Sequence, residues 1–262
     1  LMSISKNGRS ILSLAQWKDL APPKAESQWT DDRSAKEVAR AWLGAGAGNL
    51  PNEIASAIRS HADFGRVLNW KAEPEAKLRF DAFPGEPRNT DLAVDVRDIH
   101  GDYFLAVEAK ADEPFAETVA QTLAAALERK LKNPRSNGMA RVEHLAAAIL
   151  GPRGPKELHV ADVRYQLLTA CAGALREAER KRVTRAVLLV HEFVTSKTDD
   201  ENHRRNAKDL DRFVQRLSHD QEASVPGGSL VGPFTIPGRP LLNSAVKLYV
   251  GKATRVLRTG GV

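Results

Sequence analysis

Asp91, Glu108 and Lys110 are the residues of this 262-residue sequence whose types and spacing most directly suggest chemistry. They lie in DLAVDVRDIHGDYFLAVEAKADEPF, Asp91 to Phe115, where two apolar runs flank a turn at His100-Gly101. The second run ends in Glu108 and Lys110, although burying an unpaired charge is costly and apolar residues would pack there more cheaply. Taking Ile99-His100-Gly101-Asp102 as the turn places Asp91 opposite Lys110, Ala93 opposite Glu108 and Asp95 opposite Ala106. Opposed residues share a face and side chains alternate with period two. Asp91, Glu108 and Lys110 are therefore expected on one face at the open end of a hairpin, with Glu108 diagonal to both Asp91 and Asp95. A turn of another length would change this register.

Two carboxylates so placed repel unless something positive lies between them. A divalent cation satisfies them directly, and hard oxygen donors favour Mg²⁺ or Mn²⁺. Such an ion lowers the pKa of a bound water and offsets charge building on phosphorus. A lysine two residues along, on the same face, can orient the water or stabilise developing negative charge. That constellation suits phosphodiester cleavage. A second reading stands beside it: Asp91, Asp95, Arg97, Glu108 and Lys110 could instead be cross-strand ion pairs on the wet face of an antiparallel sheet.

At these residues the sequence resembles the PD-(D/E)XK nuclease superfamily, whose pattern is an aspartate on one hairpin strand and an acid-x-lysine on the next. Here these are Asp91 and Glu108-Ala109-Lys110; Asn89-Thr90-Asp91 stands where the superfamily carries Pro-Asp, which leaves Asp91 in competition with Asp95. The resemblance implies an α/β fold with a restriction-endonuclease-like core, ordered α-β-β-β-α-β around a mixed central sheet flanked by helices. It also implies Mg²⁺-dependent hydrolysis of nucleic acid. By the same likeness, Asp91 and Glu108 would be metal ligands, the Ala109 carbonyl a further ligand, and Lys110 would act on the attacking water. Many members add a glutamate from the helix before the first strand, for which Glu53 is the best match and Glu37 the second. A narrower likeness, carried by VEAKADEPF, RYQLLTACAGALREA, AVLLVHEF and LYVG, is to a bacterial family of unknown function assigned to this superfamily. A nuclease-fold protein that binds nucleic acid or a protein without cutting is the alternative.

Secondary candidates lie on other segments. Arg164 and Gln166, at the start of the RYQLL helix, could contact phosphate or orient a ligand. His191, with Glu192, ends the apolar run RAVLLVHEF, where side chains emerge toward a cleft. Gln121 follows on the helix after the hairpin. Other chemistries fit the residue types and spacing less well. Seven scattered histidines and one cysteine give no zinc pattern. GAGAG lacks the preceding strand of a dinucleotide fingerprint, and no G-x-S-x-G elbow occurs. Cys171 sits within an apolar helical pattern and reads as a packed thiol.

The elements that must position these residues follow from periodicity. Residues 1–33 read as an irregular arm docked through its tryptophans, and 34–262 as one α/β domain. Ser34-Ala-Lys-Glu37 has the form of a capping box opening a helix through Trp42, and Pro51 opens a second helix. Strands are expected near 66–70 and 77–82, then the hairpin. Pro114 begins an amphipathic helix with Val119, Leu123 and Leu127 at i, i+4 spacing. Helices over RVEHLAAAIL and VADVRYQLLTACAGALREAERK precede RAVLLVHEF, whose continuous apolar run suits a strand covered on both faces. A helix holding Leu210, Phe213, Val214 and Leu217 and the strands SLVGPFTI and AVKLYVG complete the chain. No stretch is long and apolar enough to span a bilayer and the N-terminus lacks a signal-peptide core, so a cytoplasmic protein is expected. A net charge of +6 and three basic clusters, at 128–135, 176–185 and 203–208, agree with a nucleic-acid partner, DNA or RNA. The assembly is left open between a homodimer and a partner subunit.

Overall fold

A computed structural model describes residues 2–46, 48–243 and 245–257. An eight-stranded mixed sheet runs through it, formed by β1 (Ser3–Lys6), β2 (Arg9–Ser10), β3 (Val67–Leu78), β4 (Arg88–Asp98), β5 (Gly101–Lys110), β6 (Arg185–Val194), β7 (Ser229–Phe234) and β8 (Lys247–Val256). Their order across the sheet is β2-β1-β3-β4-β5-β6-β8-β7. β3, β4 and β5 are antiparallel, whereas β6 lies parallel to β5 and β8 parallel to β6. The class is α/β, with seven α-helices among the described residues.

Both faces of the central strands are buried, as the apolar run of β6 requires. Phe104, Ala106, Ala186, Leu188 and Val190 face one core with α5 (Gly138–Ile149), α6 (Tyr165–Arg180) and α7 (Asp200–Ser218). Leu105, Val107, Ala109, Val187, Leu189 and Phe193 face the other, under α2 (Ser34–Gly44) and α3 (Asn52–Arg59). α6 has ten buried residues, and Gly173 lets it lie close on the sheet: a Cβ there would meet the Leu78 Cβ at 3.3 Å. This approach brings the first turn of α6 to the end of β5.

Several sequence expectations are corrected in detail. Residues 2–33 are not irregular throughout: they supply β1, β2 and α1 (Leu14–Leu20), β1 extends the sheet beside β3, and Trp17 is buried. The strands expected at 66–70 and 77–82 are one strand, β3, which runs through Pro74. Pro74 lies past the last β1 pair, Ile4↔Ala72, in an edge-like stretch where a missing N–H is tolerated. Ser34 begins α2 rather than capping it, since Arg33 is the cap residue. α4 (Val119–Lys132) begins after Pro114, with Thr118 as its cap, and two of its expected core residues, Leu123 and Leu127, are exposed.

The hairpin register is offset by two residues from expectation. Asp98 pairs with Gly101 across a two-residue turn, Ile99-His100, and the ladder continues to Leu92↔Val107. The tight turn is held by Asp98, which accepts the His100 N–H at 2.8 Å, and by Gly101, whose φ of 117° favours glycine. One step beyond the ladder, Asp91 falls opposite Glu108 instead of Lys110. Because the offset is even, Asp91, Glu108 and Lys110 keep a common face.

Candidate functional site

The open end of the β4–β5 hairpin and the first turn of α6 meet at a cleft of about 690 Å³. Asp91, Glu108, Ala109, Lys110 and Gln166 all line it. Glu108 and Lys110 are buried, with their ends held by neighbours. Arg88, at the start of β4, pairs with Glu108 Oε2 and also donates to Thr169 Oγ1 at 2.9 Å. The Gln166 amide nitrogen donates to Glu108 Oε1, and Gln166 Oε1 accepts from Lys110 Nζ at 3.2 Å. Lys110 Nζ is 3.9 Å from Glu108 and 5.1 Å from the centre of the Phe115 ring. The lysine is therefore fixed by an ion pair, a hydrogen bond and a cation–π contact.

Asp91 is held differently. Its Oδ2 accepts the Ala109 N–H at 2.7 Å, just past the end of the strand ladder. Loss of hydration, reinforced by the negative charges of Glu108 and Glu75, pushes its carboxyl well above the ordinary value of 3.8. Lys110 and the Ala109 N–H oppose that shift without overcoming it.

Glu75 is the residue that sequence reasoning missed. Between the pairs Pro74↔Leu92 and Ala76↔Thr90 it falls opposite Asp91, so Glu75, Asp91 and Glu108 form a row across three adjacent strands. It lines the cleft, accepts from Asn89 Nδ2 at 3.2 Å, and burial raises its carboxyl above the ordinary value, with Glu108 adding to the effect. Its φ of 47° is left-handed in the interior of a strand. The pleat changes there: Trp70 and Ala72 face the α2–α3 core, whereas Ala76 and Leu78 face the α6 core. Pro74 hid this residue, because a proline between two acids reads as a break between strands. Arg88 was missed too, and its only signal was a position three residues ahead of Asp91.

Among the described residues, no group of three or more His, Cys, Asp or Glu side chains converges to enclose a metal ion. The donors nevertheless suit Mg²⁺, which takes one or two carboxylates and leaves other positions to water and phosphate oxygens. Asp91 and Glu108 would hold it. The elevated proton affinity of Asp91 marks a carboxylate short of positive charge, and a cation at this position would relieve it.

Residues 10–256 match the family described as Domain of unknown function (DUF6946). The chain belongs to that family. No curated protein and no solved structure matches it.

In this DUF6946 chain the remaining candidates lie away from the cleft chemistry. Asp95 is on the same strand as Asp91 but opposite Phe104, and it pairs with Lys181 at 2.8 Å. Glu53 and His191 meet each other across the sheet from Glu108 and Lys110. His191 Nε2 lies 2.8 Å from Glu53 Oε1, and Arg255 donates to both Glu53 oxygens, at 2.7 and 3.0 Å. Burial opposes ionisation of Glu53, but the hydrogen bonds from His191 and Arg255 outweigh it and hold the carboxyl at about 2. Glu37 is occupied by Arg40 at 2.6 Å and the Asp32 N–H at 3.0 Å. Arg164 pairs with Asp209 at 2.7 Å and donates to the Ala116 carbonyl, and so ties α6 to α7. Gln121 forms a reciprocal cap with Thr118 at the start of α4. Cys171 is fully buried and its thiol is pushed up by burial. No described helix is long and apolar enough to cross a membrane.

Proposed function

We propose that this chain is a Mg²⁺-dependent phosphodiesterase acting on nucleic acid, with Asp91, Glu108 and Lys110 as its working residues and Glu75 beside them. The observation that carries this reading is the common face of Asp91, Glu108 and Lys110 at a cleft, where the Asp91 carboxyl is short of positive charge. A bound Mg²⁺ would supply Lewis-acid stabilisation of charge on the phosphoryl oxygens. Asp91 and Glu108 bind and orient from adjacent strands. Lys110, held by Gln166 and Phe115, keeps its ammonium beside the carboxylates, where it orients an attacking water and offsets developing negative charge. Gln166 fixes the spacing of acid and lysine. The element order α3, β3-β4-β5, then α4, α5 and α6 before β6, supports a restriction-endonuclease-like core in which α4 and α5 are an insertion.

One observation favours the second reading, a nuclease-like fold that binds without cutting: Arg88 and Gln166 already occupy both oxygens of Glu108. Cleavage of DNA and RNA panels with Mg²⁺ and with Mn²⁺ separates the two. Metal-dependent cleavage abolished in Glu108→Ala and Lys110→Ala supports the enzyme. Cleavage indifferent to both variants overturns it, and salt-sensitive binding without cleavage favours the binding protein.

A further inference from the structure

A surface helix ordinarily turns its apolar stripe toward the core. α4 does the reverse. Of its 14 residues only Val119 and Ala126 are buried, while Leu123, Leu127 and Leu131 are 39 %, 44 % and 70 % exposed. Ala120 and Ala124 are exposed as well, so the sequence positions 120, 123, 124, 127 and 131 form one outward apolar face. Its inner side is filled by close packing on α5, whose Gly138 sits where a Cβ would lie 3.0 Å from the Ala126 Cβ. The leucines therefore cannot turn inward without displacing α5.

We propose that this face binds a second copy of the chain, with the two α4 helices antiparallel about a two-fold axis near Ala124 and Leu127. The charges flanking the stripe choose the occupant. The C-terminal end of α4 carries the exposed cations Arg129, Lys130 and Lys132 against one exposed acid, Glu128, with Arg135 just beyond, a net cationic end, and exposed Glu117 precedes the N-terminal cap. Parallel pairing would set the two cationic ends against each other. Antiparallel pairing sets each cationic end beside the partner's Glu117 and N-terminal turn, and an isologous interface needs such self-complementarity. At 1.5 Å per residue α4 is about 21 Å long, so the contact is short and the dimer weak and concentration-dependent. The pairing also has a place near the cleft: the Ala116 N–H donates to Gln166 Oε1 at 3.2 Å, and the Tyr165 N–H donates to the Glu117 carbonyl at 3.0 Å. Each copy's cationic turn would thus approach the loop that braces the other copy's Gln166.

Sedimentation velocity from low to high micromolar concentration tests this. The wild type is expected to dimerise reversibly, and Leu127→Glu with Leu131→Glu to weaken the dimer at least ~100-fold while leaving the circular dichroism and the melting of the dilute monomer unchanged, since both side chains are exposed. Glu117→Lys and Lys132→Glu should each weaken self-association, and their equimolar mixture should restore it as a heterodimer. A wild type that stays monomeric throughout, a dimer indifferent to the leucine pair, or charge variants that fail to rescue one another would each overturn the assignment. The readout involves no catalysis, so it stands or falls separately from the phosphodiesterase reading.

Discussion

Lys110 Nζ donates to Gln166 Oε1 at 3.2 Å, and the same amide donates through its nitrogen to Glu108. One side chain from α6 thus sets the distance between the acid and the lysine of β5. Gln166→Ala removes both bonds, together with the one from the Ala116 N–H, and is expected to cost about 1–2 kcal/mol of stability. Any phosphodiester cleavage should fall about 10- to 100-fold in kcat with little change in KM. Urea melts and steady-state kinetics measure the two effects; an unaltered kcat would remove Gln166 from the positioning role.

Asp91 and Glu75 both hold protons more tightly than ordinary carboxyls do. A raised folded pKa stabilises the fold at low pH, and that contribution fades as pH climbs through the folded values. Asp91→Asn removes one of the repelling charges and keeps an acceptor for the Ala109 N–H. Without added metal it is expected to melt about 2–4 °C higher at neutral pH, equivalent to about 1 kcal/mol. Mg²⁺ or Mn²⁺ should raise the melting temperature of the wild type and not of Asp91→Asn. Equal metal response in both proteins would place the ion elsewhere.

Glu53 and Glu75 make opposite predictions, although each is a glutamate near the sheet. Glu53 is depressed from 4.5 to about 2, so its contribution is present above pH 4.5 and lost as pH falls toward 2. Glu53→Gln should cost about 3 kcal/mol at neutral pH and leave cleavage per folded molecule unchanged. Glu75→Gln should keep the fold and reduce cleavage at least 10-fold. Reversal of this pattern would return the third acid to α3.

Arg185 anchors the turn that fixes the hairpin register. It bonds both oxygens of Asp98, at 3.2 and 2.9 Å, along with the Asp63 and Gly101 carbonyls, and lies about 5 Å from the Phe64 and Tyr103 rings. Arg185→Met leaves Asp98 buried without a counter-ion and should cost about 3–5 kcal/mol at neutral pH. Burial opposes ionisation of Asp98, but Arg185 and two backbone N–H groups hold its carboxyl below 3.8. The wild type therefore loses this contribution as pH falls below that value. The variant is relieved as its unpaired acid protonates, so the gap between the two urea midpoints should narrow in acid.

Much of this arrangement was legible because strand parity is robust. The shared face of Asp91, Glu108 and Lys110 survived a two-residue error in register, since an even slip preserves the face. The helical pattern of RYQLLTACAGALREA puts Gln166 in a first turn, and it lies in the first turn of α6. Glu53 and His191 were misplaced for a related reason: periodicity locates a residue on an element but does not say which side of a sheet that element covers. α3 packs on the far side, and His191 follows Ala109 there through the parallel pair Ala109↔His191. The outward leucines of α4 misled for the opposite reason, because a stripe at helical spacing reads alike whether it meets a core or another molecule. In the basic cluster at 176–185, Arg185 is folded inward on Asp98 and Lys181 pairs with Asp95, while Arg180 and Arg182 stay exposed.

The left-handed backbone at Glu75 has a consequence for sequence choice. Left-handed geometry costs a side-chain-bearing residue about 1–2 kcal/mol, whereas glycine adopts it freely. Selection for folding alone would favour a glycine at this position. Glu75→Gly is thus expected to fold at least as stably as the wild type while emptying the middle strand's neighbour of its carboxylate. The left-handed backbone at Glu75 is thus the local strain that accompanies a carboxylate at this point of β3.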